Sequence, residues 1–338
     1  MTTHLSWRDA ALALAVVFVW GTNFVVIKLG LNALPPLFFA TLRFFFVFVP
    51  ACFFLPRPGS VGEGGKKYVA WSNLALYGVC IGLIQFGLLF IAMNGQISPG
   101  LASLVVQMQV FFTIALSMLR TGEKIKPHQI AAFALAVAGM GVIATHNGQG
   151  ASLLGVALVL IAAMGWALGN QAGREAAKEG LSVNMLAYVV WAAPFAFPPL
   201  LALSLILEGP AAIAAGIHHA SPTTWAAVAY QSAGNTMFGY ACWAWLLSRY
   251  PAATVAPMSL LVPVIGFASS AIILGEPLPL WKIGATLLIM AGLAVNLLWV
   301  RRGQPKADET VLRTVSGGER RELGRAAGGA GKSDGEAA

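Results

Sequence analysis

The sequence predicts an all-α polytopic membrane protein: ten transmembrane helices in a 5+5 inverted repeat, with the N- and C-termini in the cytoplasm. Three observations lead to this fold class. The 338 residues are 58% apolar and only 10% charged, whereas roughly a quarter of the residues of a soluble protein are charged. Long apolar stretches recur along the chain, and a Gly-Glu hairpin occurs twice.

Apolar stretches of about 20 residues, the length that crosses a bilayer, recur ten times. Turn-forming Pro and Gly residues separate them. The first stretch is itself of spanning length, so we expect it to remain as a helix and not to be removed as a signal peptide. The predicted spans cover about residues 9–29, 35–55, 70–93, 99–119, 127–145, 152–173, 183–206, 223–248, 252–274 and 280–300.

The orientation follows from the Lys and Arg residues near the ends of the spans. With the N-terminus inside, the cytoplasmic side collects twelve of these residues and the opposite side only Lys28 and Lys282. Cytoplasmic loops of membrane proteins carry the excess of positive charge. The asymmetry therefore predicts an even number of spans and two cytoplasmic termini.

The internal repeat is marked by Gly122-Glu123 and Gly275-Glu276, which lie at the same spacing from Ala138-Gly139 and Ala291-Gly292. Five spans separate the two hairpins, and an odd number inverts the second copy. We predict a first repeat over residues 1–146, an inverted second repeat over 147–300 and a disordered cytoplasmic tail over 301–338. In such folds the substrate site lies near the midplane between the repeats. The hairpins themselves we interpret as scaffold turns, each acid lying just before a helix start that its charge stabilises.

The remaining composition excludes several classes of site. Basic residues of the tail contribute to the net charge of +8, and we interpret the positive charge as a surface facing the membrane and not as a nucleic-acid site. Cys52, Cys80 and Cys242 lie inside apolar runs without metal-ligand spacing. We expect neither a disulfide, nor a metal, nor a cofactor.

Short motifs resemble a known family. The run Trp20-Gly21-Thr22-Asn23-Phe24 ending in Lys28, Leu42-Arg43-Phe44 in span two, and the paired Gly-Glu hairpins resemble the EamA branch of the drug/metabolite transporter superfamily, and most of all its bacterial aromatic amino-acid exporters of the YddG type. The resemblance implies a multi-pass monomer in the bacterial inner membrane. It also implies a central cavity lined by spans one, three, four, six, eight and nine, with spans five and ten as scaffold.

The acidic residues argue against an enzyme and against proton coupling. Outside the tail, every Asp, Glu and His lies at a helix end or in a loop. Proton-coupled transporters hold an ionisable group in the bilayer interior. We therefore expect a transporter without enzymatic activity that works as a facilitator or exchanger.

Aromatic and amide side chains near the midplane are the candidate substrate-binding residues. Buried amides need hydrogen-bonding partners, so a set of them on several helices indicates either contacts between helices or a wet cavity. Trp166 follows Gly165 in a stripe of glycines repeated every four residues, which turns its ring away from the packed face. The candidates are Trp20, Asn23, Tyr77, Gln85, Trp166, Asn170, Asn235, Tyr240 and Trp243.

Three further residues are candidate gating or structural residues. Arg43 is the one cation set into a span; it either neutralises a substrate carboxylate or ties spans together. Pro257 and Pro263 interrupt span nine and are possible hinges.

An aromatic wall with scattered amides suits a neutral side chain on a zwitterion. The predicted function is export of aromatic or large neutral amino acids by alternating access through the central cavity. Export of other small neutral metabolites or drugs is the alternative.

Overall fold

The structure is a computed structural model. The chain divides into two units, Met1–Leu297 and Leu298–Ala338; the architecture below is that of the first unit, and of the second only residues 298–303, which are helical, are described. The predicted tail therefore lies outside the described residues from position 304 onward. The described residues are 6–62, 65–121, 126–146, 148–178, 184–250 and 252–303.

The described residues form eleven helical segments, and all ten predicted spans fall on one of them. Predicted spans one to seven correspond to α1–α7, and spans eight to ten to α9–α11. The segments are α1 (Trp7–Gly30), α2 (Pro36–Phe53), α3 (Trp71–Met93), α4 (Pro99–Arg120), α5 (Pro127–Thr145), α6 (Leu153–Lys178), α7 (Met185–Leu207), α8 (Pro210–His219), α9 (222–249), α10 (252–274) and α11 (Leu280–Gly303).

Eight of the described helices are long and apolar enough to cross a membrane: α1–α7 and the Pro257–Leu274 part of α10. The apolar part of α11, Leu280–Asn296, is shorter. The helix α9 is not among the eight, and its centre carries Gln231, Asn235 and Thr236. The protein is thus an all-α polytopic membrane protein.

Proline explains why many of these helices begin where they do. Pro36, Pro99, Pro127, Pro210 and Pro222 each occupy the start of a helix. The first N–H groups of a helix have no partner within it, so proline, which has no N–H, loses nothing at this position. At these five positions, a proline that separates two apolar stretches of the sequence is a helix start in the structure.

Two elements were not predicted. Strands β1 (Gly59–Gly62) and β2 (Gly65–Tyr68) pair antiparallel between α2 and α3, where the sequence has glycines and no alternation of apolar and polar residues. The helix α8 lies between the seventh and eighth predicted spans, and most of its residues are exposed. At ten residues it is too short to cross a membrane.

Two pairs of helices depart from α-helical geometry at matching positions. The centre of α3, Gly78–Gly87, and the centre of α9, Tyr230–Phe238, are both π-helical. Likewise α4 contains a 3₁₀ turn at Val106–Met108, and α10 contains one at Ala256–Leu260. In each pair the second stretch follows the first by about 150 positions.

Glycines bring α1, α4 and α10 into close contact. A Cβ atom on Gly21 would lie 2.6 Å from the Ile265 side chain, and one on Gly266 would lie 2.5 Å from Ser103 Oγ. Real Cβ atoms do not approach other atoms so closely, so larger residues at these positions would push the helices apart. We call this contact the α1/α4/α10 seam.

The Gly-Glu hairpin at residue 275 is more than a turn. Gly275 adopts φ +66° and ends α10, a conformation that favours glycine. We expected Glu276 to stabilise the helix that follows it, but its Oε2 accepts the N–H of Gly100 at 3.1 Å, at the start of α4. Its Oε1 accepts from Lys282 Nζ at 2.8 Å. Glu123, in the first hairpin, lies outside the described residues.

A second carboxylate likewise accepts backbone N–H groups at the start of a helix. Glu208, which follows α7, accepts the N–H of Leu37 at 2.7 Å and the N–H of Phe38 at 3.1 Å. These are unpaired donors of the first turn of α2, where a negative charge is favoured by the helix dipole. Both contacts join residues from the C-terminal half of the chain to helices of the N-terminal half.

Candidate functional site

A central cavity of about 80 Å³ lies among α1, α3, α4, α6, α9 and α10. These helices correspond to spans one, three, four, six, eight and nine, the set that the family resemblance implied. Aromatic rings form part of the wall: Trp20, Phe24, Phe86, Trp166 and Tyr240.

Packing and a hydrogen bond hold the Trp20 ring on the wall. Its centroid lies 6.0 Å from the Tyr240 ring and 5.1 Å from the Trp243 ring, and its Nε1–H donates to the Asn235 carbonyl at 3.2 Å. A Cβ atom on Gly239 would lie 2.4 Å from Trp20 Nε1. The Trp20 ring of α1 is therefore held in position by contacts with α9.

Amide side chains form the polar part of the wall. Asn23, Gln85, Gln107, Gln109 and Asn235 all line the cavity. Gln85 is fully buried, and neither its Nε2 nor its Oε1 has a hydrogen-bond partner. Leaving a buried amide unsatisfied costs about 1–3 kcal/mol, so Gln85 is an unfavourable residue for the packing of the protein alone.

The buried Arg43 lies behind the amide wall. Its Nη1 donates to Gln231 Oε1 at 2.6 Å. The hydrogen-bond pattern assigns the Asn235 amide oxygen to the side facing Arg43, where it accepts from Nη2 at 2.8 Å and from Nη1 at 3.2 Å. The guanidinium carbon lies 3.5 Å from the centre of the Phe86 ring, a distance typical of a cation–π contact.

Six of the nine predicted binding residues line the central cavity: Trp20, Asn23, Gln85, Trp166, Asn235 and Tyr240. The other three are placed differently. Tyr77 borders a separate void of about 10 Å³ beside Arg43 and Tyr240. Trp243 packs behind Trp20, and Asn170 is half-buried on α6 outside the cavity lining.

The ring of Trp166 faces the cavity while its neighbouring glycines pack against α3. A Cβ atom on Gly165 would lie 2.8 Å from the Cys80 carbonyl oxygen, and one on Gly169 would lie 2.4 Å from Ile81. At the third glycine of the predicted stripe, Gly173, nothing lies within 4 Å. The close contact of α6 with α3 thus covers two glycines of the stripe.

The two candidate hinge prolines occupy different positions in α10. Pro257 lies within the 3₁₀ turn Ala256–Leu260, where the helix changes geometry. Pro263 is buried in the first turn of the α-helical stretch Leu261–Leu274, directly after that 3₁₀ turn. Of the two, Pro257 marks the irregular point of the helix.

Four residues that the structure brings to the site are not among the nine candidate binding residues. Gln107 and Gln109 line the cavity from α4, Phe86 lines it from α3, and Gln231 binds Arg43. The three amides could have been found from the sequence, because each is a polar residue within an otherwise apolar span. Phe86 carries no such signal among many apolar aromatic residues.

A second cavity, which we call the polar vestibule, opens near the C-terminal end of α1 and has a volume of about 570 Å³. Its lining includes Lys28, Asn32, Ser98, Ser270 and Glu276. Along both α4 and α10, the seam contact between Ser103 and Gly266 falls between the residues lining the central cavity and those lining the vestibule. The seam therefore separates the two spaces.

The Glu276 carboxyl is ionised within the vestibule wall. Burial acts to raise its pKa, but hydrogen bonds from the Lys282 ammonium, two serine hydroxyls and a backbone N–H outweigh burial and lower the pKa below its usual value of 4.5. The serines are Ser270 and Ser98, and the N–H is that of Gly100. This carboxylate is an acceptor in a fixed network.

Among the described residues, no cluster of three or more His, Cys, Asp or Glu side chains is arranged to hold a metal. Cys52, Cys80 and Cys242 are free thiols.

The sequence was compared with known families and proteins. The profile of the EamA-like transporter family matches residues 8–145 and again residues 153–298, most of the chain. The chain belongs to the EamA-like transporter family. This EamA-like protein is therefore a multi-pass membrane transporter and not an enzyme.

Curated relatives of this EamA-like protein carry names that refer to amino acids. A protein of Salmonella typhimurium named probable amino-acid metabolite efflux pump is 42% identical over 299 residues, covering 88% of this chain and 97% of the relative. One of Escherichia coli with the same name is 41% identical over the same shares. A probable terminal-alkyne amino-acid exporter of Streptantibioticus cattleyicolor is 25% identical over 287 residues, covering 85% of this chain and 92% of the relative.

A solved crystal structure has the same fold. It superposes with a TM-score of 0.55 over 88% of this chain and 99% of the other, at 20% sequence identity. At this identity the likeness concerns the fold alone.

Proposed function

We propose that this EamA-like protein exports aromatic or large neutral amino acids across the bacterial inner membrane, as a monomer, by alternating access through the central cavity. The observation that carries the proposal is Gln85: a fully buried amide on the cavity wall with both of its polar atoms unpaired. Buried polar groups in folded proteins almost always have partners. A substrate with donors and acceptors, or water in its absence, supplies the missing one.

The rings around Gln85 support an aromatic or large apolar substrate side chain. Trp20, Phe86, Trp166 and Tyr240 line the same cavity. Aromatic rings stack on or meet each other edge to face, which adds about 0.5–1.5 kcal/mol per pair beyond the burial of area. The names of the two relatives that are about 42% and 41% identical support amino-acid metabolites as the class of substrate.

Several features support a 5+5 inverted repeat with boundaries at residues 1–146 and 147–300. The family profile matches the chain twice, over 8–145 and 153–298. The π-helical centres of α3 and α9 and the 3₁₀ turns of α4 and α10 recur at matching positions. The excess of Lys and Arg on the side of the termini supports a cytoplasmic N- and C-terminus.

The size of the cavity supports a cycle with more than one conformation. Binding sites for small molecules usually measure roughly 300–1,000 Å³, and the central cavity measures about 80 Å³. The cavity must widen to admit an amino acid. The α1/α4/α10 seam, which separates it from the polar vestibule, is the contact that we propose to open.

The same site supports a facilitator. None of the described residues that line the cavity is acidic, and proton-driven transporters use an embedded ionisable group. We expect that a pH gradient imposed on proteoliposomes does not drive uphill movement of substrate. Accumulation against the substrate gradient that collapses with the pH gradient would contradict this part of the proposal.

The substrate class is tested by uptake into proteoliposomes of a panel of aromatic, large neutral and small amino acids, purines and lipophilic cations. We expect saturable flux of the aromatic and large neutral amino acids. Flux confined to purines, cations or other neutral compounds would replace the proposal with the alternative of a general metabolite or drug exporter.

The site is tested by Gln85→Leu, which removes the unpaired amide but keeps an apolar side chain of similar size. We expect flux to fall about tenfold, as for loss of one hydrogen bond to substrate, while the melting temperature stays equal or rises. An amide that serves the fold would give the opposite pattern, with lower stability and normal flux per folded molecule. Gln149→Leu, at an exposed position of the loop between α5 and α6, is the control.

Trp166→Ala tests the aromatic wall. The loss of a ring contact should raise the KM for an aromatic substrate several-fold, up to roughly tenfold, with a smaller effect on an aliphatic substrate. Trp225→Ala removes a ring that is 41% exposed and outside the cavity, and should leave KM unchanged. Unchanged transport in both the Gln85 and the Trp166 variants would remove these residues from the site.

A further inference from the structure

Arg43 is a buried cation without a carboxylate partner. Its side chain in α2 is fully buried, and within the described part of the chain the ion pairs join other residues, Arg120 with Glu175 and Lys282 with Glu276. Cations inside a membrane protein are costly and are paired or used in function. Among the described residues, the charge of Arg43 is therefore balanced by amide dipoles and a ring face, and not by a carboxylate.

The present acceptors of Arg43 are the oxygens of two neutral amides. Gln231 Oε1 lies 2.6 Å from Nη1, and the Asn235 amide oxygen lies 2.8 Å from Nη2. The Nε–H of Arg43 has no partner. An arginine offers five N–H donors in a planar fork that matches a carboxylate, so two amide oxygens leave this fork incompletely satisfied.

One layer of side chains separates Arg43 from the central cavity. The guanidinium lies 3.5 Å from the centre of the Phe86 ring. Phe86 and Tyr240 line both the central cavity and the void of about 10 Å³ that Arg43 borders. Asn235, which accepts from Arg43, also lines the central cavity.

The side chains of this layer stand on irregular helices. Phe86 belongs to the π-helical stretch of α3, and Gln231 and Asn235 belong to that of α9. Single π-helical turns occur frequently at functional sites. A molecule in the central cavity reaches the guanidinium only if these side chains move aside.

We propose that Arg43 binds the carboxylate of the substrate, and that the amide oxygens of Gln231 and Asn235 hold its place while the site is empty. This inference rests on the proposed function, because it assigns one end of an amino acid to one residue of the same site. Its consequence is specificity: the transporter selects compounds with a free carboxylate over amines of the same shape.

The first experiment uses the unmodified protein in proteoliposomes. Tryptophan, tryptophanamide and tryptamine have the same ring but differ in the carboxylate, and each competes with the flux of labelled tryptophan. Loss of one charge-assisted contact should weaken the two analogues about tenfold to hundredfold. Equal competition by all three compounds would overturn the proposal without any mutation.

The second experiment removes the charge. In Arg43→Gln the preference for tryptophan over tryptophanamide should fall towards one, whereas a purely structural arginine would lower the amount of folded protein and leave the preference intact. The matched control is Arg57→Gln. Arg57 also lies over an aromatic ring, 4.0 Å from the centre of Trp71, but is remote from the cavity lining, and its variant should keep the preference of the wild type.

Arg43→Lys covers the case in which Arg43→Gln fails to fold. It keeps the charge but loses the planar fork, so we expect a preference between that of the wild type and one. A folded variant at position 43 with an unchanged preference would refute the assignment. Failure of the wild type to move any amino acid would instead refute the proposed function itself.

Discussion

The two members of the buried ion pair, Glu276 and Lys282, contribute unequally to the free energy of unfolding. The Lys282 and Glu276 side chains are only 3% and 7% exposed. Lys282 has one other acceptor, the Pro277 carbonyl at 3.1 Å, whereas Glu276 has three further donors, Ser98, Ser270 and the Gly100 N–H. Removing the carboxylate should therefore be worse than removing the ammonium.

The magnitudes follow from these partners. Glu276→Gln leaves a buried ammonium almost unpaired, which destabilises the protein by about 3–5 kcal/mol. Lys282→Met leaves a carboxylate that keeps three hydrogen bonds, so we expect the loss of one charged hydrogen bond, about 1.5–3 kcal/mol. The double variant removes both charges and should be more stable than the sum of the two losses predicts, by about 1 kcal/mol or more.

The assay is the free energy of unfolding of the four proteins in detergent, measured by denaturant titration at several pH values. The folded pKa of Glu276 lies below its ordinary value of 4.5, so its stabilisation is fully present above pH 4.5 and is lost as the pH falls through the folded pKa. The difference between wild type and Glu276→Gln should be constant from about pH 5 upward and shrink in stronger acid. Equal single losses, a larger loss in Lys282→Met, or strictly additive losses in the double variant would refute the reasoning.

Two further contacts give predictions of stability. Glu208→Gln weakens the carboxylate contact with the start of α2 and should lower the free energy of unfolding by about 1–2 kcal/mol, as measured by denaturant titration; an unchanged value would show that water replaces the contact. Gly266→Ala places a Cβ atom 2.5 Å from Ser103 Oγ and should cost about 1–3 kcal/mol, while Gly141→Ala, with nothing within 4 Å, should be neutral or stabilising by up to about 1 kcal/mol. A thermal-unfolding comparison in which the two glycine variants behave alike would contradict the close contact of the seam.

The helices could be predicted because the signals that define them are local. Apolar runs of spanning length, proline at helix starts and glycine at the end of α10 are visible in the sequence, and all ten predicted spans are helical. Short α8 and the β1/β2 hairpin carry no such signal. One is too short for a span, and the other lacks the alternation that marks a strand.

The cavity lining could be predicted in part because polar side chains within apolar helices need hydrogen-bonding partners. Six of the nine candidates line it. Asn170 shares the helical face of Trp166 but lies one turn, ~6 Å, further along α6. The prediction of its helical face was therefore sound, but its position along the helix puts it outside the cavity lining. Trp243 does not line the cavity, because the Trp20 ring lies between it and the cavity.

The contacts of Arg43 were beyond the sequence for a different reason. Its partner Gln231 is 188 positions away, and a single sequence contains no information on which of many amides meets which cation. The π-helical turns add to this difficulty. They shift the hydrogen bonding from i→i+4 to i→i+5, so side chains beyond the turn point in directions that a regular helix does not give.

The contacts made by Glu208 and Glu276 have a consequence for the order of events during synthesis. The ribosome delivers α2 and α4 to the membrane long before either acid exists, so the first turns of both helices wait with free N–H groups until the C-terminal half arrives. A chain stopped at residue 146 would keep those two ends open permanently. We expect such a fragment to be cleared by membrane proteases and to be rescued by co-expression of residues 147–338 from a separate gene.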